Sequence, residues 1–226
     1  MAPPLKTYSH FIFDFDGVIC DSLRFAVEEF NRIRMTHFPT LPIVQGQADM
    51  TVVYRGSLRT CLYTWLSVED SKRFFDLHSE AMADRATDLA LFEGIAETLA
   101  LLGRNGCSIV TSAYSHAVSA ILEKDPFFDR QCVYQIAGRE LRQSKTEKIK
   151  NILFGLSLAA SEAVYVGDLE SDILYCAQVP IDIIAVGYGY HPHEYLNTKN
   201  PTFCVSSVEE LRDLLSELRE ARTISA

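Results

Sequence analysis

Cysteine pairs are missing from this chain. Its six cysteines (Cys20, Cys61, Cys107, Cys132, Cys176 and Cys204) are scattered, with no C-x-x-C spacing among them. That leaves no dithiol motif, and most fall in apolar stretches, so they read as buried free thiols in a reducing compartment. No apolar run is long enough to span a bilayer, and residues 1–10 hold no hydrophobic signal core. A cytoplasmic location is therefore expected. Positive charge is also scarce: 21 lysines and arginines face 30 acids, a formal net charge of -9. Such a balance argues against nucleic acid or an anionic membrane as a partner. A small anionic substrate survives this test, because only the charge inside a site has to be positive. There is no internal repeat and no low-complexity segment. The 226 residues suffice for one large domain, or for a domain with a sizeable insertion.

What is present falls into two patterns. Phe11-Ile12-Phe13 reads as a strand buried on both faces, the habit of a central parallel strand. From Leu23 the spacing turns helical, with Leu23, Ala26, Val27, Phe30 and Ile33 on one face. A second stripe holds Leu58, Leu62, Trp65 and Leu66, and a third runs from Glu69 to Arg85, with a loop at Pro39 to Gly46. Residues 23–92 thus look like an all-helical unit inserted after the first strand. Beyond Gly94, strands at Cys107–Val110, Cys132–Ile136, Ala163–Val166, Ile181–Val186 and Phe203–Val205 alternate with helices. The helices are expected at Ile95–Leu102, Ala117–Leu122, Ile149–Phe154, Ser171–Gln178 and Val208–Leu218. That alternation predicts an α/β fold, a parallel sheet covered by helices on both faces.

Ligands of such sheets bind beyond the carboxyl ends of the strands, so the residues ending each strand carry the functional information. The first strand ends in Asp14 and Asp16, carboxylates two apart that point the same way in extended backbone. The strand Cys107–Val110 ends in Thr111-Ser112, either an anion-holding turn or a simple helix cap. Lys145 sits in the first turn of a helix opened by the capping box Ser144…Glu147. A cation there is disfavoured by about 0.3–1 kcal/mol unless it faces an anion. Ala163–Val166 is followed by Gly167 and Asp168, with Asp172 in the next helix and Glu170 facing solvent. Three or four converging carboxylates with one lysine leave excess negative charge, which Mg²⁺ would balance while holding a substrate phosphate.

The motifs Asp14-Phe15-Asp16-Gly17-Val18, Thr111-Ser112, Lys145 and Gly167-Asp168-Leu169-Glu170-Ser171-Asp172 together resemble the haloacid dehalogenase-like superfamily. Within it they are similar to phosphatases of the phosphoglycolate phosphatase type. Phe92-Glu93-Gly94-Ile95 and Gly187-Tyr188-Gly189 match the same pattern. The resemblance implies a Rossmann-like catalytic core over residues 1–22 and 93–226, and a mobile helical cap domain over residues 23–92. It further implies Asp14 as nucleophile and Asp16 as acid and then base. Mg²⁺ would be held by the carboxylates of Asp14 and Asp168 and the backbone carbonyl of Asp16. Gly17, Thr111, Ser112 and Lys145 would hold phosphate, and Asp172 would position the metal's surroundings or the lysine. Phosphate-ester hydrolysis in water is slow enough to need acceleration approaching 10²¹, roughly 28 kcal/mol. Acid–base help contributes about 10²–10⁴, so positioning and charge stabilisation must supply most of the rest.

Departures from the pattern narrow the substrate. Thr146 stands where phosphoglycolate phosphatases usually have proline. Asp16 argues against dehalogenation, and Lys72, the one lysine in the cap, sits in a charged run rather than where a Schiff base would form. A sugar-phosphate mutase is the runner-up, set back because the first cap helix has no histidine before His37. A phosphorylation-controlled signalling module or an inactive binding protein are further alternatives. Arg55 and Arg59, one helical turn apart in this reading, are candidates to contact an anionic leaving group, against the simpler role of solvated charges. Trp65 is expected in the core, and His191-Pro192-His193 in a surface loop.

Overall fold

The computed structural model describes residues 6–55 and 58–220. Residues 1–5 and 221–226 of the expected core, residues 56 and 57 of the expected cap, and the side chain of Arg59 lie outside them. Six strands form one parallel sheet: β1 (His10–Phe13), β2 (Cys107–Val110), β3 (Val133–Ala137), β4 (Ala163–Gly167), β5 (Asp182–Val186) and β6 (Phe203–Val205). Their spatial order is β3-β2-β1-β4-β5-β6, so β1 is central and the chain switches direction on either side of it. All four residues of β1 are buried, as an internal parallel strand requires.

Ten α-helices accompany the sheet among the described residues. Before β2 come α1 (Leu23–His37), α2 (Gln47–Val53), α3 (Leu58–Leu62), α4 (Val68–Asp84) and α5 (Ile95–Ala100). After it come α6 (Ser115–Leu122), α7 (Lys145–Leu156), α8 (Glu170–Gln178), α9 (His193–Asn197) and α10 (Val208–Glu220). Alternation along β1 sends Phe11 and Phe13 to one face of the sheet and Ile12 to the other. The phenylalanine face packs on Ile95 and Leu99 of α5, Val118 and Ile121 of α6, and Leu211 and Leu215 of α10. The Ile12 face packs on Ile149, Ile152 and Leu153 of α7 and Cys176 of α8. Helices α1 to α4 close on a separate apolar cluster that includes Phe30, Ile33, Met50, Leu62 and Phe74. Five cysteines are buried and Cys204 is half-buried, all as free thiols.

Local chemistry explains where the elements stop. The stripe through Leu58, Leu62, Trp65 and Leu66 is not one helix: α3 ends at Leu62, and the Thr64 hydroxyl donates back to the Cys61 carbonyl at 2.7 Å. Ser67 then caps α4 by accepting from the Asp70 N–H at 3.0 Å. Trp65, expected in the core, falls in the turn between them and is 38 % exposed. Helix α2 has no counterpart among the expected stripes, because Met50 and Val53 are its only buried side chains. Strand β3 begins one residue late, since Cys132 closes a 3-10 turn capped by Asp129. No described helix is long and apolar enough to cross a membrane.

The central strand supplies a stability prediction. Ile12 is fully buried, so Ile12→Ala is expected to lower unfolding free energy by about 2–5 kcal/mol in urea titrations. Met35→Ala, at a position 71 % exposed, should stay within about 0.5 kcal/mol of the parent.

Candidate active site

The site is built at the point where β1 meets β4. The backbone N–H of Asp14 donates to the Val166 carbonyl at 2.8 Å, which carries the ladder one residue past the strand. The Asp14 carboxylate is then fixed from both sides: Oδ1 accepts from the Phe15 N–H at 2.8 Å, and Oδ2 pairs with the Lys145 ammonium. Lys145 is delivered by the first turn of α7, where Ser144 and Glu147 form the reciprocal capping box. Its second partner is Asp172 Oδ1 at 2.8 Å, while Asp172 Oδ2 accepts from the Leu169 N–H at 3.1 Å. Asp168, at the end of β4, is wholly buried. Its Oδ2 accepts from the Tyr190 N–H at 2.7 Å, and its Oδ1 has no hydrogen-bond partner among the described residues.

Carboxylate oxygens of Asp14, Asp168 and Asp172 lie within 4.8 Å of one another. The Asp16 side chain, half-buried, is not one of the three. Burial is the main force raising the Asp14 pKa, to about 7; Lys145 opposes the rise and Asp172 adds to it. Burial, then Asp172 and Asp14, push Asp168 well above the usual carboxylate range. Burial likewise raises Asp16. At Lys145 burial works against the charge, but Asp14 and Asp172 overcome it and hold the ammonium protonated. One cation is thus shared by a cluster that cannot ionise fully without another. The buried, unpartnered Asp168 oxygen beside Asp14 fits a hard divalent cation that prefers oxygen ligands.

Two glycines allow the close approach. Gly17 has a φ of 77°, and a Cβ on it would lie 2.0 Å from Asp168 Oδ2. A Cβ on Gly189 would meet the Gly17 carbonyl at 2.3 Å and the same Asp168 oxygen at 2.4 Å. Thr111 follows β2 and is buried; its hydroxyl accepts from the Ala113 N–H at 2.9 Å, while Ser112 is exposed.

Several expectations need correction. Arg55 and Arg59 do not share a helix: Arg55 lies exposed in the bend after α2, and Arg59 belongs to α3. Glu170 does not face solvent; it accepts from the Tyr195 hydroxyl at 2.7 Å and pairs with Lys199 at 2.8 Å. His191 is no surface residue. It is fully buried, its Nδ1 accepts from the Glu170 N–H at 3.1 Å, and burial pushes its pKa down to about 4.

Other residues at the site escape the sequence reading. Lys148, three residues after Lys145 on α7, is 3 % exposed and donates to the Thr111 carbonyl at 2.7 Å. The i,i+3 spacing of two lysines in one helix was the available signal. Arg139, just past β3, pairs with Asp76 and donates to the Ser79 hydroxyl at 3.1 Å, both on α4. Tyr190 gave no signal, because an aromatic residue after a strand is ordinary.

A family model described as haloacid dehalogenase-like hydrolase matches residues 11–186. The chain is 26% identical over 217 residues to phosphoglycolate phosphatase 1 of Pseudomonas aeruginosa, across 90% of this chain and 77% of that one. It is 27% identical over 211 residues to tyrosine-protein kinase PtkA of Mycobacterium tuberculosis, across 90% and 71% of the two. The crystal structure of a hydrolase from Pseudomonas syringae shares the fold with a TM-score of 0.73 at 16% identity, covering 93% and 99% of the chains.

The raised carboxylates set a pH dependence. A carboxyl whose folded pKa exceeds its unfolded value binds extra protons when folded, so stability is full below the unfolded value and falls as pH rises through the folded one. For Asp14 that window runs from 3.8 to about 7. Thermal melts without divalent cation should therefore show Tm falling by several degrees from about pH 5 to about pH 8. Added Mg²⁺ should restore more of it at the higher pH, and Asp14→Asn should flatten both trends.

Proposed function

The chain belongs to the haloacid dehalogenase-like hydrolase family, and from that premise we propose that it is a phosphatase of small phosphorylated metabolites. Phosphoglycolate or a sugar phosphate is the substrate type this reading favours. The observation that carries it is the fixed Asp14 carboxylate, aimed by Phe15 and Lys145 and set beside the unpartnered oxygen of Asp168.

In this reading Asp14 attacks phosphorus, and the bond from phosphorus to the leaving oxygen breaks. Asp16 gives that oxygen its proton; burial raises the Asp16 pKa, which keeps the proton available. Asp16 then takes a proton from water as the water attacks phosphorus, and the bond to Asp14 breaks to release phosphate. Lys145 and the Thr111 turn hold phosphoryl oxygens, with Gly17 leaving room and Ser112 at the rim. Lys148, anchored to the Thr111 carbonyl, steadies that turn. Asp172 holds Lys145 in place. Mg²⁺ would be held by Asp14, Asp168 and the Asp16 carbonyl, and when bound it neutralises charge on the transferring group.

Residues 23–92 act as the cap in this proposal, and residues 1–22 with 93–226 as the core. Two neighbouring connections support that division. The Asp21 N–H donates to the Ala90 carbonyl at 3.0 Å, and Cys20 bridges Leu91, so the chain leaves and re-enters the core side by side. A cap closing there would exclude water and contact the leaving group.

Release of inorganic phosphate from p-nitrophenyl phosphate and a panel of phosphometabolites tests the reading. Asp14→Asn should lower kcat by roughly 10⁴–10⁶-fold. Asp16→Asn should lower it by about 10²–10⁴-fold while Mg²⁺ binding, followed by calorimetry, stays at the parent level. Loss of Mg²⁺ binding in that second variant would remove Asp16 from its assigned role.

A further inference from the structure

The loop after β5 does something that neither the family resemblance nor the reaction requires. Tyr190 belongs to the sheet side of the molecule, yet its side chain is 4 % exposed within the apolar cluster of α1 to α4. Its ring meets Tyr54, just past α2, edge-on with centroids 5.2 Å apart. Its hydroxyl lies 3.0 Å from that of Ser22. Ser22 holds the N-cap position of α1 but makes no capping bond there, although a serine in that place ordinarily contributes about 1 kcal/mol by capping. The hydroxyl turns to Tyr190 instead, and it also meets the Asp16 carboxyl. One residue earlier, the Gly189 carbonyl accepts from Gln47 Nε2, at the start of α2, at 2.8 Å. The backbone N–H of the same Tyr190 is the sole hydrogen-bond donor to Asp168 among the described residues.

We propose that Tyr190 is a positioning residue that couples the seating of the helical cap to the orientation of the Asp168 carboxylate. Its side chain reads whether α1 and α2 are docked, and its N–H, held by the same backbone, sets Asp168 Oδ2 and so aims the unpartnered Oδ1. The Gln47 bond to Gly189 is the second tie between cap and loop. Because coupling is reciprocal, a cation bound through Asp168 must in turn tighten the cap on the loop. The inference rests on the reading of Asp168 as a metal ligand.

Mn²⁺ binding to the full chain, read as free Mn²⁺ by electron paramagnetic resonance, tests it without turnover. Gln47→Ala touches no carboxylate of the site, and Tyr190→Ala keeps the backbone N–H. Each is expected to weaken Mn²⁺ affinity about tenfold in protein that circular dichroism shows folded. In hydrogen exchange of the parent, Mn²⁺ should slow the amides of residues 50–54, and should fail to do so in Asp168→Asn. Parent-level affinity in folded Gln47→Ala, with no change at residues 50–54, would overturn the coupling and leave the metal reading standing. If Tyr190→Ala fails to fold, Gln47→Ala and the exchange experiment decide alone. A parent that takes up no Mn²⁺ would overturn the metal reading and the coupling together.

Discussion

Three carboxylates lie buried within 4.8 Å of one another with a single ammonium paired to two of them, and most of the surrounding structure follows from keeping them there. Moving a carboxylate out of water is expensive, and placing two more beside it adds like-charge repulsion. Folding supplies compensation from the backbone: Phe15, Leu169 and Tyr190 each direct an N–H at one of the three. A parallel sheet suits this arrangement, because reversal of strand order at β1 opens a crevice at the carboxyl ends of β1 and β4. The loops leaving those ends can then converge from opposite directions.

The helices α1 to α4 are tied to that crevice at more than one place. Arg139 reaches from beyond β3 to Asp76 and Ser79 on α4, and its guanidinium lies 4.8 Å from the centre of the Phe75 ring. Lys124, past the end of α6, directs its ammonium at the carbonyls of Ala86, Thr87 and Leu89 at 2.9, 2.9 and 2.8 Å. Those carbonyls belong to the segment that returns to the sheet, and the three bonds use all three donors of a lysine. Such a clasp satisfies backbone groups that, outside regular elements, otherwise depend on water.

Much of this was written in local patterns. The strand through Phe11, Ile12 and Phe13 was legible because it is apolar on both faces, and the box at Ser144 and Glu147 because capping is a four-residue signal. Asp14, Lys145, Asp168 and Asp172 were legible because each follows a strand or opens a helix. The structure brings Lys145 between Asp14 and Asp172. Trp65 and the break between α3 and α4 were not legible, since periodicity alone does not register where Ser67 restarts a helix. Arg55 and Arg59 are separated by another unmarked break, between the end of α2 at Val53 and the start of α3 at Leu58. His191 and Glu170 failed for another reason: their burial comes from α9 folding back over the loop, a long-range event. Spacing around His191-Pro192-His193 carries no trace of it.

The contrast between Asp14 and Asp168 shows what the burial accomplishes. The nucleophile proposed above has to be aimed, and both Asp14 oxygens are occupied, one by a neighbouring N–H and one by Lys145. The cation ligand proposed above has to offer a lone pair, and Asp168 keeps one oxygen bound while the other has no partner among the described residues. An unpaired buried carboxylate oxygen would be a net liability in a protein that had only to fold, because no hydrogen bond from the described residues offsets its lost hydration. Gly17 and Gly189 let the two loops close on the bound oxygen, Oδ2, because a Cβ on either would fall 2.0 or 2.4 Å from it. Stability has been sacrificed at the unpaired atom, Oδ1, while the Tyr190 N–H, bound to the other oxygen, keeps the carboxylate in place.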